Sequence, residues 1–586
     1  PPGLTGLRGS HKGSFEVAHA LVREGRRDWG PVEMRDSSVY DLVVVGAGIS
    51  GLAAAYFYYR ENPEARILIL DNHDDFGGHA KRNEFTVDGK KLLGYGGSQT
   101  FEEPSEYDAI SAALLEDLGI DMDRFYQYYD QEFYRRHGLA GGVFFGKENW
   151  GADQLANYDL GGLRYSLPLA NSDQSVEEAV AAMPMSAAAK AQMLRLLTHE
   201  ENVFPGMSAR EVIETLENIS YRDYLQEYLG ITEPEVFASL QALTTDLGAD
   251  IGAVPAGSAL RYIGLPGYEA TGLPELQDSE PYIHHFPDGN ASMCRLMVRR
   301  MIPAVASGST MDDIVQANFD YSKLDRADSL VRMRLKSTVV KVVHDGDPKS
   351  AKTLTVQYVQ GGALGQVSAK ACVMACYNAI IPSICTELPQ SQKDALAYSM
   401  KVPILYTNVA LRNWRAWEKL GIGAVSCPGA YHVNAMLDFP VSMGGYQFSD
   451  SSDEPIVVHM ERFPHVGGKS LSKREQAPLG RIELLTTPFE TIERNTREQL
   501  GALLGPGGFD PANDIAAITV NRWAHGYATR DWLEDTYYED PSDERYWYVK
   551  GRKPLGRIAI ANTDAGAFAT VDTAIAQAHR AISELM

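Results

Sequence analysis

Residues 40–82 read YDLVVVGAGISGLAAAYFYYRENPEARILILDNHDDFGGHAKR, and this stretch decides the fold. Residues 40–45 are an apolar, β-branched run of the kind that fills a strand buried on both faces. The run ends in Gly46-Ala47-Gly48-Ile49-Ser50-Gly51, a GxGxxG turn that opens a helix. Gly46 suits the tight turn, Gly48 the close approach of backbone amides to a pyrophosphate, and Gly51 the packing of helix on strand. The helix N-terminus adds partial positive charge beside Ser50. A second strand over residues 65–70 ends at Asp71-Asn72, about twenty residues past the last glycine, where a carboxylate can accept hydrogen bonds from ribose hydroxyls. Strand, helix, strand and acid in that order specify a dinucleotide-binding βαβ unit, which the glycine turn alone would not.

Working outward, 586 residues exceed one ordinary core and predict two intertwined domains. Periodic apolar positions predict helices over residues 107–118, 187–197, 208–229 and 292–301. Alternation predicts strands over 335–343, 354–358, 404–411 and 456–461, a short buried strand over 371–375, and a last strand and helix from 558 to 586. Residues 1–34 read as an arm with one short helix, 106–284 and 396–549 as a substrate-binding domain, and 35–105, 285–395 and 550–586 as the pieces of the nucleotide domain.

A net charge of −23 argues against a nucleic-acid partner and suits a cationic one. There is no apolar run of about eighteen residues to cross a membrane. Five cysteines without a CxxC pair predict neither a zinc site nor a disulfide framework. The sequence starts at Pro1, which suggests that an upstream piece, such as a targeting signal, has been removed.

The segment Gly77-Gly78-His79-Ala80-Lys81-Arg82 after Asp71 resembles the acid-x5-GG pattern of the flavin amine oxidase superfamily, and it makes FAD the expected dinucleotide. Residues 4–21 (LTGLRGSHKGSFEVAHAL), 71–85 (DNHDDFGGHAKRNEF), 281–292 (PYIHHFPDGNAS) and 521–528 (NRWAHGYA) resemble the bacterial spermidine dehydrogenases within it. The fold that this implies is α/β: a Rossmann-type FAD-binding domain of the flavin amine oxidase kind, a second α+β substrate domain and an N-terminal arm. The resemblance places Gly96-Gly97-Ser98-Gln99 beside the flavin ring, Val340 at the adenine, Asp564 at the ribityl or pyrophosphate, and the helix with Thr573 in its first turn at the flavin edge. Read alone, Val340 is a core strand valine and Asp564 a turn aspartate. Asn562 stands where the superfamily has glycine.

For the substrate, the resemblance implies hydride transfer from spermidine to flavin and release of 1,3-diaminopropane and 4-aminobutanal. Trp523, Tyr527 and Tyr446 are the expected aromatic cage, because aromatic walls desolvate an amine and tolerate a neighbouring cation. Asp438, Glu102 and Glu103 are candidates for distal ammonium groups. Lys401 lies near the superfamily's flavin-facing lysine, but the matching position is apolar, at Ile404 or Leu405, which favours a dehydrogenase with another electron acceptor. The resemblance further implies haem b; without CxxCH the iron needs a plain axial ligand, for which His11 is the first candidate and His19 the second. His285 is expected close to the flavin. A periplasmic location goes with the family. The rival readings are a same-fold enzyme acting on another amine, a polyene or a porphyrinogen, and a non-catalytic flavin or haem electron-transfer protein.

Overall fold

The computed structural model describes residues 1–467 and 470–586. Its nucleotide half is a five-stranded parallel sheet in the order Ile558–Ile560, Cys372–Met374, Leu42–Val45, Ile67–Leu70, Val331–Arg334. All four residues of Leu42–Val45 and of Ile67–Leu70 are buried, as their unbroken apolar runs require of strands covered on both faces. Helix Ile49–Glu61 covers one face and packs on the closing helix Val571–Leu585. The other face meets a four-stranded sheet of Ser337–His344, Leu354–Gln360, Ala363–Ala369 and Val32–Tyr40 through a core that includes Val43, Leu68, Val339 and Val356.

The second half is an eight-stranded sheet in the order Gly6–Gly9, Ile515–Thr529, Met400–Leu411, Ile456–Arg462, Asn434–Leu437, Ile422–Ser426, Ala140–Phe145, Gln154–Ala156. Two of its strands, Ala140–Phe145 and Gln154–Ala156, come from residues 106–284, where the sequence predicts helices and no strand. The 208–229 helix is also broken: Ala209–Asn218 stops at Ile219, which is extended (φ −123°, ψ 153°), and Ser220 caps a new turn by accepting from the Asp223 amide. The N-terminal arm is integral to the fold. Gly6–Gly9 pairs in parallel with Thr519 to Arg522, and the arm's helix, Glu16–Val22, lies against strand Ser337–His344. Among the described residues no helix is long and apolar enough to cross a membrane.

Candidate functional site

The glycine turn builds one end of the site. Gly46 has φ 109°, a region that favours glycine, and a Cβ on Gly51 would press into the Gly46 carbonyl. Gly77 bridges to Gly48, and a Cβ on Gly78 would come within 2.9 Å of the Gly48 Cα, so the two turns pack backbone to backbone. Asp71 locks them: one carboxylate oxygen accepts from the Ala47 amide (2.7 Å) and the other from the His73 amide (2.8 Å), while burial raises its pKa. The Ser50 hydroxyl donates to the Ala574 carbonyl and accepts from the Asn562 amide, tying this turn to the closing helix. Helices Ile49–Glu61 and Val571–Leu585 both begin without a side-chain cap, and both start on the wall of one cavity of about 730 Å³. Uncapped N-termini and a glycine-lined cradle fit a dinucleotide pyrophosphate.

Of the cofactor candidates, Gly46, Gly48, Ser50, Asp71 and Asn72 line this cavity, and so do Gly77, Gly78, His79, Gly97 and Ser98. Five do not. Gly51 is turned inward against Gly46. Arg82 is buried in ion pairs with Glu84 (2.7 Å) and Asp288 (2.8 Å). Val340 sits at a β-bulge between Val339 and Lys341, so Val339 takes the wall and Val340 packs with Val359 and Leu364. Asp564 lies behind the wall formed by Asn562 and Thr563. Its oxygens are taken by the Asn378 amide (2.8 Å) and the Lys401 ammonium (2.6 Å). Thr573 pairs its hydroxyl with Thr570, and Thr570 is the one that lines the cavity.

The other end is aromatic. Strand Ile515–Thr529 runs along the cavity over residues 522–529, bulging where residues 524–526 oppose only Pro403, and brings Trp523, His525 and Tyr527 to its wall. Trp523 donates to the Gly96 carbonyl at 2.6 Å, stacks on His73 (5.8 Å, 15°) and meets His79 edge-on. Tyr527 shares a 2.5 Å hydrogen bond with Tyr406 of the neighbouring strand. Tyr446 and Asp438 lie outside the lining. Tyr446 is buried with its hydroxyl accepting from the Leu93 amide, and Asp438 is buried behind Phe439, whose amide it accepts; burial pushes that carboxyl up to about 8. His285 also lies outside, stacked on Phe439 at 4.0 Å, its ring nitrogens at the Gln99 and Tyr282 carbonyls.

Besides Asp71 at the nucleotide end, three carboxylates line the same cavity: Glu102, Asp246 and Glu461. Glu102 accepts from Tyr262 (2.8 Å) and from Tyr165. Burial, followed by the field of Glu461, pushes Asp246 up to about 7. Glu103 is exposed and does not line the cavity. Sequence reasoning missed Asp246 and Glu461. A signal was available for the second: an acid inside the apolar strand run IVVHMER. Sequence reasoning gave the arm only a haem ligand, whereas Ser10, Ser14, Phe15 and His19 all reach the wall.

Haem does not fit the ligand assigned to it. His11 lies outside the cavity, with Nδ1 on the Gly9 carbonyl (2.8 Å) and Nε2 facing Asp74 (3.8 Å) where an iron would need open space. Lys401 is likewise turned away from the cavity, onto Asp564, while Ile404 lines it.

These features define a Rossmann-like dinucleotide fold joined to an acid-lined aromatic chamber. Residues 44–118 match the family model of the NAD(P)-binding Rossmann-like domain. A stretch of 80 residues is 34% identical to the mitochondrial electron transfer flavoprotein-ubiquinone oxidoreductase of Caenorhabditis elegans, spanning 12% of this chain and only 13% of that protein. Over the whole chain, the fold is shared with a putrescine oxidase double mutant made to redesign cofactor binding: TM-score 0.50, 14% identity, 94% of this chain and 99% of that one. Cyclohexylamine oxidase from Brevibacterium oxydans superposes with a TM-score of 0.49 at 16% identity, over 94% of this chain and 99% of its own.

Proposed function

We propose that this protein is an FAD-dependent amine dehydrogenase acting on a polyamine, with spermidine as its substrate. The observation that carries the reading is that Glu102, Asp246 and Glu461 share one cavity with the Gly46–Gly51 turn and with Trp523 and Tyr527. Acids held among aromatic rings attract a polycation and exclude water from it, whereas a polyene or a porphyrinogen core would gain nothing from three carboxylates.

In this reading the backbone at residues 48–50, Asp71, the Gly77-Gly78 turn, Gly97 and Ser98 hold FAD, with Val339 at its far end. Bound there, FAD supplies a two-electron acceptor for a hydride leaving carbon next to nitrogen. Trp523 is pinned by Gly96 and His73, so its ring keeps a fixed wall against the amine. Glu102 and Asp246 neutralise ammonium groups distant from the reacting carbon. Water then hydrolyses the imine to 4-aminobutanal and 1,3-diaminopropane, and the electrons pass to an external acceptor.

The test is an anaerobic titration of the purified protein with spermidine, putrescine, cyclohexylamine and protoporphyrinogen, followed by the flavin absorbance. Spermidine is expected to bleach the flavin most rapidly. Bleaching by protoporphyrinogen with none by any amine would overturn the reading, and the absence of a flavin spectrum would overturn the cofactor.

A further inference from the structure

The acid Glu461 belongs to a buried polar set whose proton positions are fixed by the backbone. Strand Ile456–Arg462 places His459 and Glu461 two residues apart on one face, opposite Asn408 and Tyr406 on one neighbouring strand and Met436 and Asn434 on the other. The Asn408 side-chain amide donates to the Tyr95 carbonyl at 2.8 Å and to Asn83 Oδ1 at 2.8 Å. A backbone carbonyl only accepts, so the orientation of Asn408 is set and its Oδ1 must face His459 Nδ1, 2.7 Å away, as an acceptor. Nδ1 therefore carries a hydrogen. In the neutral ring Nε2 is then bare; it makes no hydrogen bond and lies 3.3 Å from Glu461 Oε1. At that distance in a buried site two facing lone pairs repel each other, so the gap between Nε2 and Oε1 attracts a proton. The His459 side chain is 0% exposed and that of Glu461 13%, so the cavity is the route by which this proton enters and leaves.

We propose that Glu461 and His459 form one proton-holding pair, and that it takes the proton which an ammonium substrate must shed before its C–H bond can be oxidised. The proposal rests on the amine reading above. In the emptied state the pair carries one negative charge, which draws the ammonium in. The N–H bond breaks, the electron pair stays on nitrogen, and the proton settles between Glu461 Oε1 and His459 Nε2. No electrons change hands, and the pair returns to neutrality. Asn434, whose amide donates to Glu461 Oε2 at 2.8 Å, keeps the second oxygen from turning away. The other titratable groups near the pair are Tyr95 and Tyr406, whose rings pack on His459 (4.3 and 4.8 Å), His432 in the electrostatic field of His459, and Asp246 and Tyr527 in that of Glu461. Asp246 is the only carboxyl among these, so Asp246→Asn serves as a control for the origin of the acid limb.

The experiment follows anaerobic flavin reduction by spermidine from pH 6 to 10 in the wild type, Glu461→Gln and His459→Gln. Glu461→Gln should lower the rate about 100-fold at neutral pH, with recovery at high pH, where solution supplies free amine. His459→Gln, which removes the ring that shares the proton but leaves the carboxylate, should lower the rate at neutral pH by less than Glu461→Gln does. Rates depressed equally at every pH would make Glu461 a structural residue and overturn the proposal, as would an acid limb that moves only in Asp246→Asn. A second measurement does not depend on the substrate: in 15N-histidine-labelled protein the His459 resonance, identified by its loss in His459→Gln, should titrate differently in Glu461→Gln. An unmoved titration overturns the shared proton. If no amine bleaches the wild-type flavin, the amine reading and the deprotonation step fall together, and the resonance alone decides whether the pair exists.

Discussion

Replacing Asp564 by asparagine separates a brace from a cofactor ligand. The side chains of Asp564 and Lys401 are 1% and 4% exposed, 2.6 Å apart, with the ammonium 4.7 Å from the centre of the Tyr377 ring. Asparagine keeps the shape and can still accept from the Asn378 amide, but it leaves the Lys401 charge buried without a counter-charge. Removing one partner of a buried pair costs about 3–5 kcal/mol, whereas replacing both by neutral groups costs far less. Asp564→Asn should therefore lower stability by about 3–5 kcal/mol. Adding Lys401→Met should restore about 2–3 kcal/mol of that, within the range of measured coupling energies. Urea unfolding midpoints of the wild type, Asp564→Asn, Lys401→Met and the double variant, with flavin content recorded for each, give the cycle. If Asp564→Asn loses less than about 1 kcal/mol yet sheds its flavin, the carboxylate serves the cofactor directly and the brace is wrong.

Other outcomes follow from the same geometry. Burial raises Asp438 from 3.8 to about 8, so the folded protein holds a proton that the unfolded chain releases; its stabilising share is complete below about pH 4 and is lost as pH rises through about 8. Asp438→Asn should flatten that decline in thermal scans between pH 5 and 9, and an unchanged slope would mean that the carboxyl is ionised in place. Trp523→Ala should cut amine-driven flavin bleaching more than flavin content, while Trp523→Phe, which keeps the wall but loses the Gly96 hydrogen bond, should fall between; the reverse order would return Trp523 to simple packing. Gly51→Ala pushes a methyl into the Gly46 carbonyl, an overpacking cost of about 1–3 kcal/mol, and should be purified with little flavin; full flavin occupancy would refute the close-packed turn.

The nucleotide end was legible because its information is local. Gly46, Gly48, Asp71 and the Gly77-Gly78 pair fall within some thirty residues, and each is demanded by a turn or a strand end next to it. What was not legible depends on distant partners. A single bulge moved the wall position from Val340 to Val339. Asp564 is taken by Lys401, a pairing over 163 residues that no spacing rule predicts. Tyr446 and Asp438 have the right chemistry, but their backbones aim Tyr446 toward Leu93 and Asp438 behind Phe439. Asp246 and Glu461 converge from separate insertions, and only a fold can bring such acids to one chamber.

The parallel pairing of Gly6–Gly9 with Thr519 to Arg522 has a consequence for the order in which the molecule is made. The strand leaves the ribosome about 500 residues before the one it pairs with, so it cannot dock until nearly the whole chain has been translated. Until then Ser10, Ser14, Phe15 and His19 are absent from the chamber wall, and the nucleotide groove, whose first βαβ unit is already synthesised, stands open on that side. The arm is thus a late fastening: it docks at about the time the closing helix Val571–Leu585, which starts on the same wall, is translated, so the first and last segments of the chain complete the chamber together.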